Sequence, residues 1–475
     1  MVRGNLVALA ALAVLAGCRP TAGDAAPASV RDDTPPPSMD SDGDPLTPAA
    51  WEEDTPAGVF ASWLRVHTPP GSEVVRARGG APRVVHTVAP GDTPLSIARA
   101  YLDVTDVYAA KDLAAFIPGP LVPGATLEIP HLLTAPYNEP DADRLGWPSD
   151  RALRGVFVTG AYAAIRWVDT LDKVAAHGLN AVVLDGKDYM GPVNYPSKVP
   201  IALETRAYVL PNIPDLPRAI RFAHARGIRV IMRIACFHDP WAAKHAPRLS
   251  LKGYWGGPFP MGWLDPTNVE AQDYILALVD EQIAAGADEV QLDYIRFPVQ
   301  AQSIDAAVMP KPDGSRSRAT RDFVRRVHER TSAKHVSLSL DIFGVTATGD
   351  QSDIDKLGQD IGTVAGAADA ISPMVYPSEY RSGYRGWARP GEHPEIVGIG
   401  TKAAVAKLAA AHNRTTIVRS WLQASAYKAS NYGPGYLVKE AEAAERNGGV
   451  GWLLWSPGCD YWAAWRAFPL ASAHE

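Results

Sequence analysis

Two hydrophobic periods alternate along most of the chain. Beyond residue 150, short apolar runs rich in valine, isoleucine and leucine predict buried strands at 155–159, 181–185, 229–234 and 289–293, then at 336–341, 370–376, 416–421 and 451–455. Between them the apolar positions fall three and four apart. Leu216, Ala219, Ile220 and Ala223 share one helical face, as do Ile275, Leu278, Val279 and Ile283. Gly178, Gly227 and Gly286 each precede a strand, where a glycine C-cap ends a helix. Eight strands, each followed by a helix or helical loop, predict an α/β protein with a (β/α)₈ TIM barrel over residues 152–475. A doubly wound sheet gives the same alternation, but it usually stops at about six strands and carries a phosphate-binding glycine loop, which this sequence lacks.

The first third follows other patterns. Arg3, the apolar run from Leu6 to Leu15, and Leu15-Ala-Gly-Cys18 follow one another in the order of an export signal, residues 1–18. Leu-Ala-Gly-Cys resembles the bacterial lipobox. That resemblance implies lipidation of Cys18 and an exported protein held to a membrane of the cell envelope by its N-terminal lipid. The apolar run is too short for a stable span, and no later segment reaches the ~20 apolar residues a spanning helix needs. Residues 19–48 offer almost nothing to bury and predict a disordered tether. Within it, Asp40-Ser-Asp-Gly-Asp44 lacks the glycine placement and closing glutamate of an EF-hand, so it reads as a solvated acidic linker. Residues 49–82 read as further linker with a short helix, because Val59, Trp63 and Val66 lie near helical spacing.

From 83 to 133 the order is strand, turn, helix, helix, turn, strand. His86-Thr-Val-Ala-Pro-Gly-Asp-Thr93, Ile97-Ala98, and Pro123-Gly124 before Leu127-Glu-Ile-Pro130 resemble the LysM module. The resemblance implies a small β-α-α-β domain that binds N-acetylglucosamine-containing polymers such as peptidoglycan. Residues 134–151 then read as a linker.

In a barrel the active site lies at the C-terminal ends of the strands. Those ends read Asp185-Gly-Lys-Asp188, Arg233-Ile-Ala-Cys-Phe-His238-Asp239, Asp293-Tyr-Ile-Arg296, Asp341-Ile-Phe-Gly344, Tyr376-Pro-Ser-Glu379, Trp421-Leu-Gln423 and Trp455-Ser-Pro457. The starts of the same strands read as ordinary. Several carboxylates around one cavity with aromatic walls suit glycoside hydrolysis, which needs one carboxyl as acid and a second as nucleophile or base. The flat faces of Tyr294, Tyr376, Trp421 and Trp455 suit pyranose rings, and Lys187, His238 and Gln423 are candidate sugar contacts. Each residue also has a plainer reading. Asp293 and Arg296 can tie down a loop, Asp341 can anchor one, Glu379 can face solvent, and the tryptophans can lid a core.

Composition narrows the field. A formal charge of -6 over 475 residues leaves no basic patch for nucleic acid. With Cys18 assigned to the lipobox, Cys236 and Cys459 follow non-adjacent strands and read as two quiet thiols. There is no Gly-x-Ser-x-Gly elbow, no phosphate loop and no His-Glu-x-x-His helix, so no cofactor or metal is called for. Polysaccharide deacetylation would need one.

Val183-Leu-Asp-Gly-Lys-Asp188, Leu292-Asp-Tyr-Ile-Arg-Phe-Pro298, Asp341-Ile-Phe-Gly344, Met374-Val-Tyr-Pro-Ser378, Trp421-Leu-Gln423 and Gly451-Trp-Leu-Leu-Trp455 together resemble the bacterial putative glycosyl hydrolase domain family. Glu379 stands where that family typically has a histidine. The resemblance implies hydrolysis of O-glycosidic bonds in an envelope or extracellular polysaccharide. Asp293 would be the nucleophile, by analogy with barrels whose nucleophile ends strand four. Asp341 is the first choice for acid/base and Glu379 the second, with Asp185, Lys187 and Arg296 holding the charge balance. The rival expectation is a non-catalytic barrel that binds glycan as an envelope scaffold.

Overall fold

The computed structural model describes residues 47–48 and 51–468, apart from 78, 141, 209–210, 254–255, 260 and 300–312. The expected signal peptide, the lipidation site Cys18 and residues 19–46 of the expected tether lie outside the described residues.

The parallel strands are β1 (Leu153–Val158), β2 (Ala181–Lys187), β3 (Arg229–Ala235), β4 (Glu289–Asp293), β5 (Ser337–Phe343), β6 (Ala370–Met374), β7 (Ile417–Val418 and Trp421–Gln423) and β8 (Gly451–Trp455). Helices lie between them, so the fold is α/β and TIM-barrel-like. The two halves of β7 stand at opposite ends of the sheet order: Ile417–Val418 pairs with β6 and Trp421–Gln423 with β8. Arg419 N donates to Ile371 O and Leu453 N to Ser420 O, so one interrupted run joins the two edges. Gly178, Gly227 and Gly286 all take positive φ at the predicted helix ends. Leu216, Ala219, Ile220 and Ala223 are buried, as are Ile275, Leu278, Val279 and Ile283.

Side chains alternate across the strands. On β4, Val290 and Leu292 join the apolar layer under the helices, whereas Glu289 and Gln291 meet residues beyond the neighbouring strands inside the ring and Asp293 meets Arg233 of the adjacent β3. The interior is divided. Leu153, Phe157, Ala181, Val183, Ile231 and Leu453 form an apolar half, and β4 to β7 supply a polar half.

The strand starts are not ordinary, which corrects the sequence expectation. Glu289 at the foot of β4 is fully buried, paired with Arg419 and bonded by Ser339 Oγ. Residues 134–151, expected as a linker, pack against this end. Trp147 Nε1 donates to Glu289 at 2.7 Å, and the Leu145 and Gly146 amides donate to Asp288 Oδ1 at 2.7 and 3.0 Å. A buried carboxylate without donors is costly, so the segment supplies them.

Residues 49–82 also differ from expectation. The helix Pro56–His67 and the strand Glu73–Arg76 belong to the N-terminal unit, not to a linker. The buried helix face is Phe60, Ala61 and Leu64, while Val59 and Val66 are exposed. Phe60 and Leu64 share a core with Val84, Ile97, Tyr101 and Leu113. Within that unit, strand Pro82–Thr87, helices Pro94–Tyr101 and Ala110–Ala114, and strand Thr126–Glu128 follow in β-α-α-β order, with the two strands antiparallel.

Candidate active site

One arginine organises the C-terminal end of the ring. Arg233 on β3 donates from Nη1 to Asp185 Oδ1 at 2.6 Å and from Nη2 to Asp293 Oδ2 at 2.7 Å. Its Nε lies 3.2 Å from the same Asp293 oxygen and 3.9 Å from Asp341 Oδ2. Asp185, Asp293 and Asp341 end or nearly end β2, β4 and β5, so the three carboxylates converge because alternate residues face inward at the same height. All four side chains are buried.

The environments of the carboxylates differ. Burial raises Asp185 to about 7, against the pull of Arg233. Burial and then the charge of Asp293 hold Asp341 well above the ordinary carboxylate range, although Arg233 and Trp421 oppose this. Trp421 Nε1 donates to Asp341 Oδ1 at 2.6 Å, leaving Oδ2 to carry a proton. Asp293 is held on both oxygens: Arg233 takes Oδ2, and the Tyr294 amide donates to Oδ1 at 2.6 Å. Tyr294 adopts φ 51°, which turns the chain sharply just after this carboxylate.

Aromatic groups wall the site. Tyr376 stacks on Trp455 with centroids 4.9 Å apart, and Phe157 meets Trp421 edge-on at 6.4 Å. On the other side Tyr189, His238 and Tyr294 present rings inclined by 16° to 30° to one another, with centroids 5.1 to 6.2 Å apart. His238 Nδ1 lies 2.7 Å from Tyr189 O, and burial lowers the imidazole below its ordinary value.

Several expected residues take other places. Lys187 is fully buried against Asp239 at 3.0 Å and Ala235 O at 2.8 Å, so it reaches no sugar hydroxyl. The pairing of β2 with β3 shifts register between Asp185 and Lys187, which separates two side chains that regular alternation would place on one face. Gln423 is used up structurally. Its Oε1 accepts from Ser378 N, and its Nε2 donates to Ser425 O and Tyr427 O. Glu379 lies exposed on a short 3-10 turn after β6, outside the buried carboxylate group. Arg296 makes no ion pair with Asp293 among the described residues; Arg233 makes it instead. Arg233 is not among the residues expected at the site from sequence, although a charge within the apolar run of β3 signals it. Among the described residues no group of three or more histidine, cysteine, aspartate or glutamate side chains is arranged to hold a metal ion.

Against known proteins, the family model described as "Putative glycosyl hydrolase domain" matches residues 155–461, from within β1 to beyond β8. No curated protein matches the chain. Among solved structures, a hypothetical protein from Ruminiclostridium thermocellum ATCC 27405 is 29% identical over 39% of this chain and 96% of its own, with a TM-score of 0.35. The PgaB (BpsB) glycoside hydrolase domain from Bordetella bronchiseptica is 16% identical over 68% of this chain and 100% of its own, with a TM-score of 0.49. The glycoside hydrolase domain of PelA from Pseudomonas aeruginosa is 12% identical over 66% of this chain and 96% of its own, with a TM-score of 0.39.

Proposed function

The chain belongs to the putative glycosyl hydrolase domain family, and from that premise we propose that its barrel hydrolyses O-glycosidic bonds of an envelope or extracellular polysaccharide. The observation that carries the reading is a pair of carboxyls, Asp293 and Asp341, gathered at one guanidinium, of which Asp293 is the more closely bound to it and Asp341 is held well above the ordinary carboxylate range. Asp341 favours its protonated form and is the acid for the leaving oxygen, with Oδ2 as the donor. Asp293 is held in place by Arg233 on Oδ2 and by the Tyr294 amide on Oδ1, and is the nucleophile. Both Oδ2 atoms lie near the same Arg233 Nε, at 3.2 and 3.9 Å. That closeness favours the retaining arrangement, in which the carboxyls are ~5–5.5 Å apart, over the inverting one at ~6.5–9.5 Å. Tyr376 and Trp455 would stack a pyranose ring, while Asp185 shares Arg233 and sets how much of it Asp293 receives.

The N-terminal unit would hold glycan polymers in the manner of a LysM module, and a lipid on Cys18 would keep the enzyme at a membrane of the envelope. Both follow from the sequence motifs. Replacing Cys18→Ser should move the protein from the membrane fraction to the soluble one; unchanged fractionation would remove the anchor.

A second reading has its own observation. Asp293 is already saturated by Arg233 and Tyr294, as befits a braced, non-catalytic glycan-binding scaffold. Turnover separates the two. Purified full chain, screened on envelope polysaccharides for new reducing ends, should lose roughly 10²–10⁴-fold in rate with Asp341→Asn and at least as much with Asp293→Asn. Turnover that survives Asp293→Asn unchanged would sink the catalytic assignment. Glycan binding without any turnover would establish the scaffold.

A further inference from the structure

Arg296 is the cation that the carboxylate group leaves out. It is only 7% exposed, yet among the described residues no carboxylate lies within salt-bridge distance, and its one hydrogen bond runs from Nη1 to Phe297 O at 3.2 Å. The other buried cations of this end are neutralised, Arg233 by Asp185 and Asp293 and Lys187 by Asp239. The guanidinium instead lies 5.0 Å from the Trp263 ring centroid, 5.3 Å from that of Tyr294 and 4.6 Å from that of Phe343. Ring faces attract a cation, though less than the water they replace. Removing an ion from water is costly even after relaxation. Burial accordingly draws Arg296 below its usual range, with Tyr294 and Asp293 opposing the shift.

The surface above is built and exposed. Tyr189 is 45% exposed, Met190 47%, Trp241 38% and Met261 45%, all on the segments that follow β2 and β3, with Trp241 on the short helix Pro240–His245. These loops are knitted together: Trp241 N donates to Met190 O, Asp239 N to Gly262 O, and His238 bridges to Trp263. Gly191 at φ 113° and Gly262 at φ 68° make the approach possible, since a Cβ would lie 2.3 Å from Asp239 Oδ1 in the first case and 2.4 Å from the Pro240 Cα in the second. Rigid exposed apolar area of this kind marks a binding surface. The near-parallel Tyr189, His238 and Tyr294 rings lie on it, and Tyr294 is bonded to the proposed nucleophile.

We propose that the loops after β2, β3 and β4 form a subsite for an acidic sugar, with the pyranose ring stacked on Tyr189 and Tyr294 and its anionic substituent paired with Arg296. This rests on the polysaccharide reading above and adds the chemical class of the substrate. A carboxylate, as in a uronic acid, and a phosphate ester supply the same charge. The ligand's anion completes the pairing that the protein leaves open, and the uncharged His238 adds no second cation.

The experiment measures binding by the full chain carrying Asp293→Asn, so that hydrolysis plays no part. Uronate-containing bacterial polysaccharides, the same polymers reduced at the carboxyl to neutral sugars, and phosphomannan are the probes. Arg296→Gln and Arg296→Lys are compared in that background, with thermal melting as the folding control and Tyr189→Ala as a variant that leaves the buried cation in place. An acidic polymer should bind at least about tenfold more weakly after carboxyl reduction or in Arg296→Gln, with partial recovery in Arg296→Lys. Tyr189→Ala should weaken acidic and neutral forms alike. Loss confined to uronate probes identifies a carboxylate subsite, and loss confined to phosphomannan a phosphate subsite. The proposal fails if a folded Arg296→Gln binds every probe as its parent does, or if neutral polymers are preferred throughout. Turnover of neutral polymers by the otherwise unaltered chain, together with that failure, would leave the hydrolase reading standing alone.

Discussion

Arg233 sets the chemistry of the site because three carboxylates share its charge. Removing it would leave buried anions with no cation, a loss of about 3–5 kcal/mol by the usual cost of breaking a buried pair. Asp185 turns that sharing into a pH dependence. Its carboxyl titrates at about 7 in the folded protein, against ~3.9 in an unfolded chain. Between those values the folded state holds a proton that unfolding releases, so rising pH favours unfolding. The stabilising contribution is complete below the unfolded value and is lost as pH climbs to about 7. Urea midpoints of the wild type should therefore fall relative to Asp185→Asn between roughly pH 4 and 7 and run parallel above. Asn retains an oxygen for Arg233, so the comparison isolates the proton. Parallel curves throughout would show that Asp185 is not a high-pKa carboxyl. At this scale the sequence exposed Asp185, Asp293 and Asp341, since each ends a hydrophobic strand with a charge. It hid Lys187, because the register shift beside Gly186 has no residue signature beyond the glycine itself. It also hid the true partner of Asp293, because Arg233 lies a strand away and sequence proximity favoured Arg296.

Strands were legible as elements because each is a short apolar run, and Gly178, Gly227 and Gly286 end the helices before β2, β3 and β4. What escaped was structure built from sparse apolar residues. Phe60 and Leu64, four apart, suffice to bury the Pro56–His67 helix, whereas Val59 and Val66 mark its solvent side. Residues 134–151 looked like a linker because they hold by polar contacts rather than by a hydrophobic stripe. Asp288 is their anchor. Fully buried at the entry to β4, it accepts from the Leu145, Gly146 and Val230 amides and faces His224 Nε2 at 2.8 Å. Arg144 adds bonds to Ala287 O and Ile283 O. Asp288→Ala strands several buried donors at once, each worth ~1–3 kcal/mol when left unpaired. The expected result is a loss of at least about 3 kcal/mol in denaturant stability, with faster limited proteolysis within 134–151. Full stability in this variant would show that the segment is held by its apolar contacts alone.

The whole molecule is joined more firmly than a domain-and-linker description implies. Arg218 on the helix Leu216–His224 is buried, and its guanidinium donates to Thr105 O, Val107 O and Tyr108 O of the N-terminal unit. Tyr108 meets Phe222 edge-on at 5.1 Å, and the Arg221 guanidinium lies 3.6 Å from the Tyr137 centroid. The glycan binding proposed for this unit would, with the unit docked in this way, present polymer to the barrel at a fixed position. Its effective concentration is then set by geometry and not by the reach of a flexible chain. Arg218→Ala removes the donor from three carbonyls, and charge-assisted bonds of this type are worth ~1.5–3 kcal/mol each. The N-terminal unit should separate from the barrel while both remain folded. Small-angle scattering would show a larger radius of gyration, and hydrogen exchange would rise at 105–108 and along 216–224. Hydrolysis of long polymers should fall while that of short oligosaccharides is unchanged, because only a polymer spans both units. Unaltered scattering and exchange would place the strength of the interface in Tyr108, Phe222 and Tyr137. An equal loss on short and long substrates would instead mean that docking supports the barrel's own site.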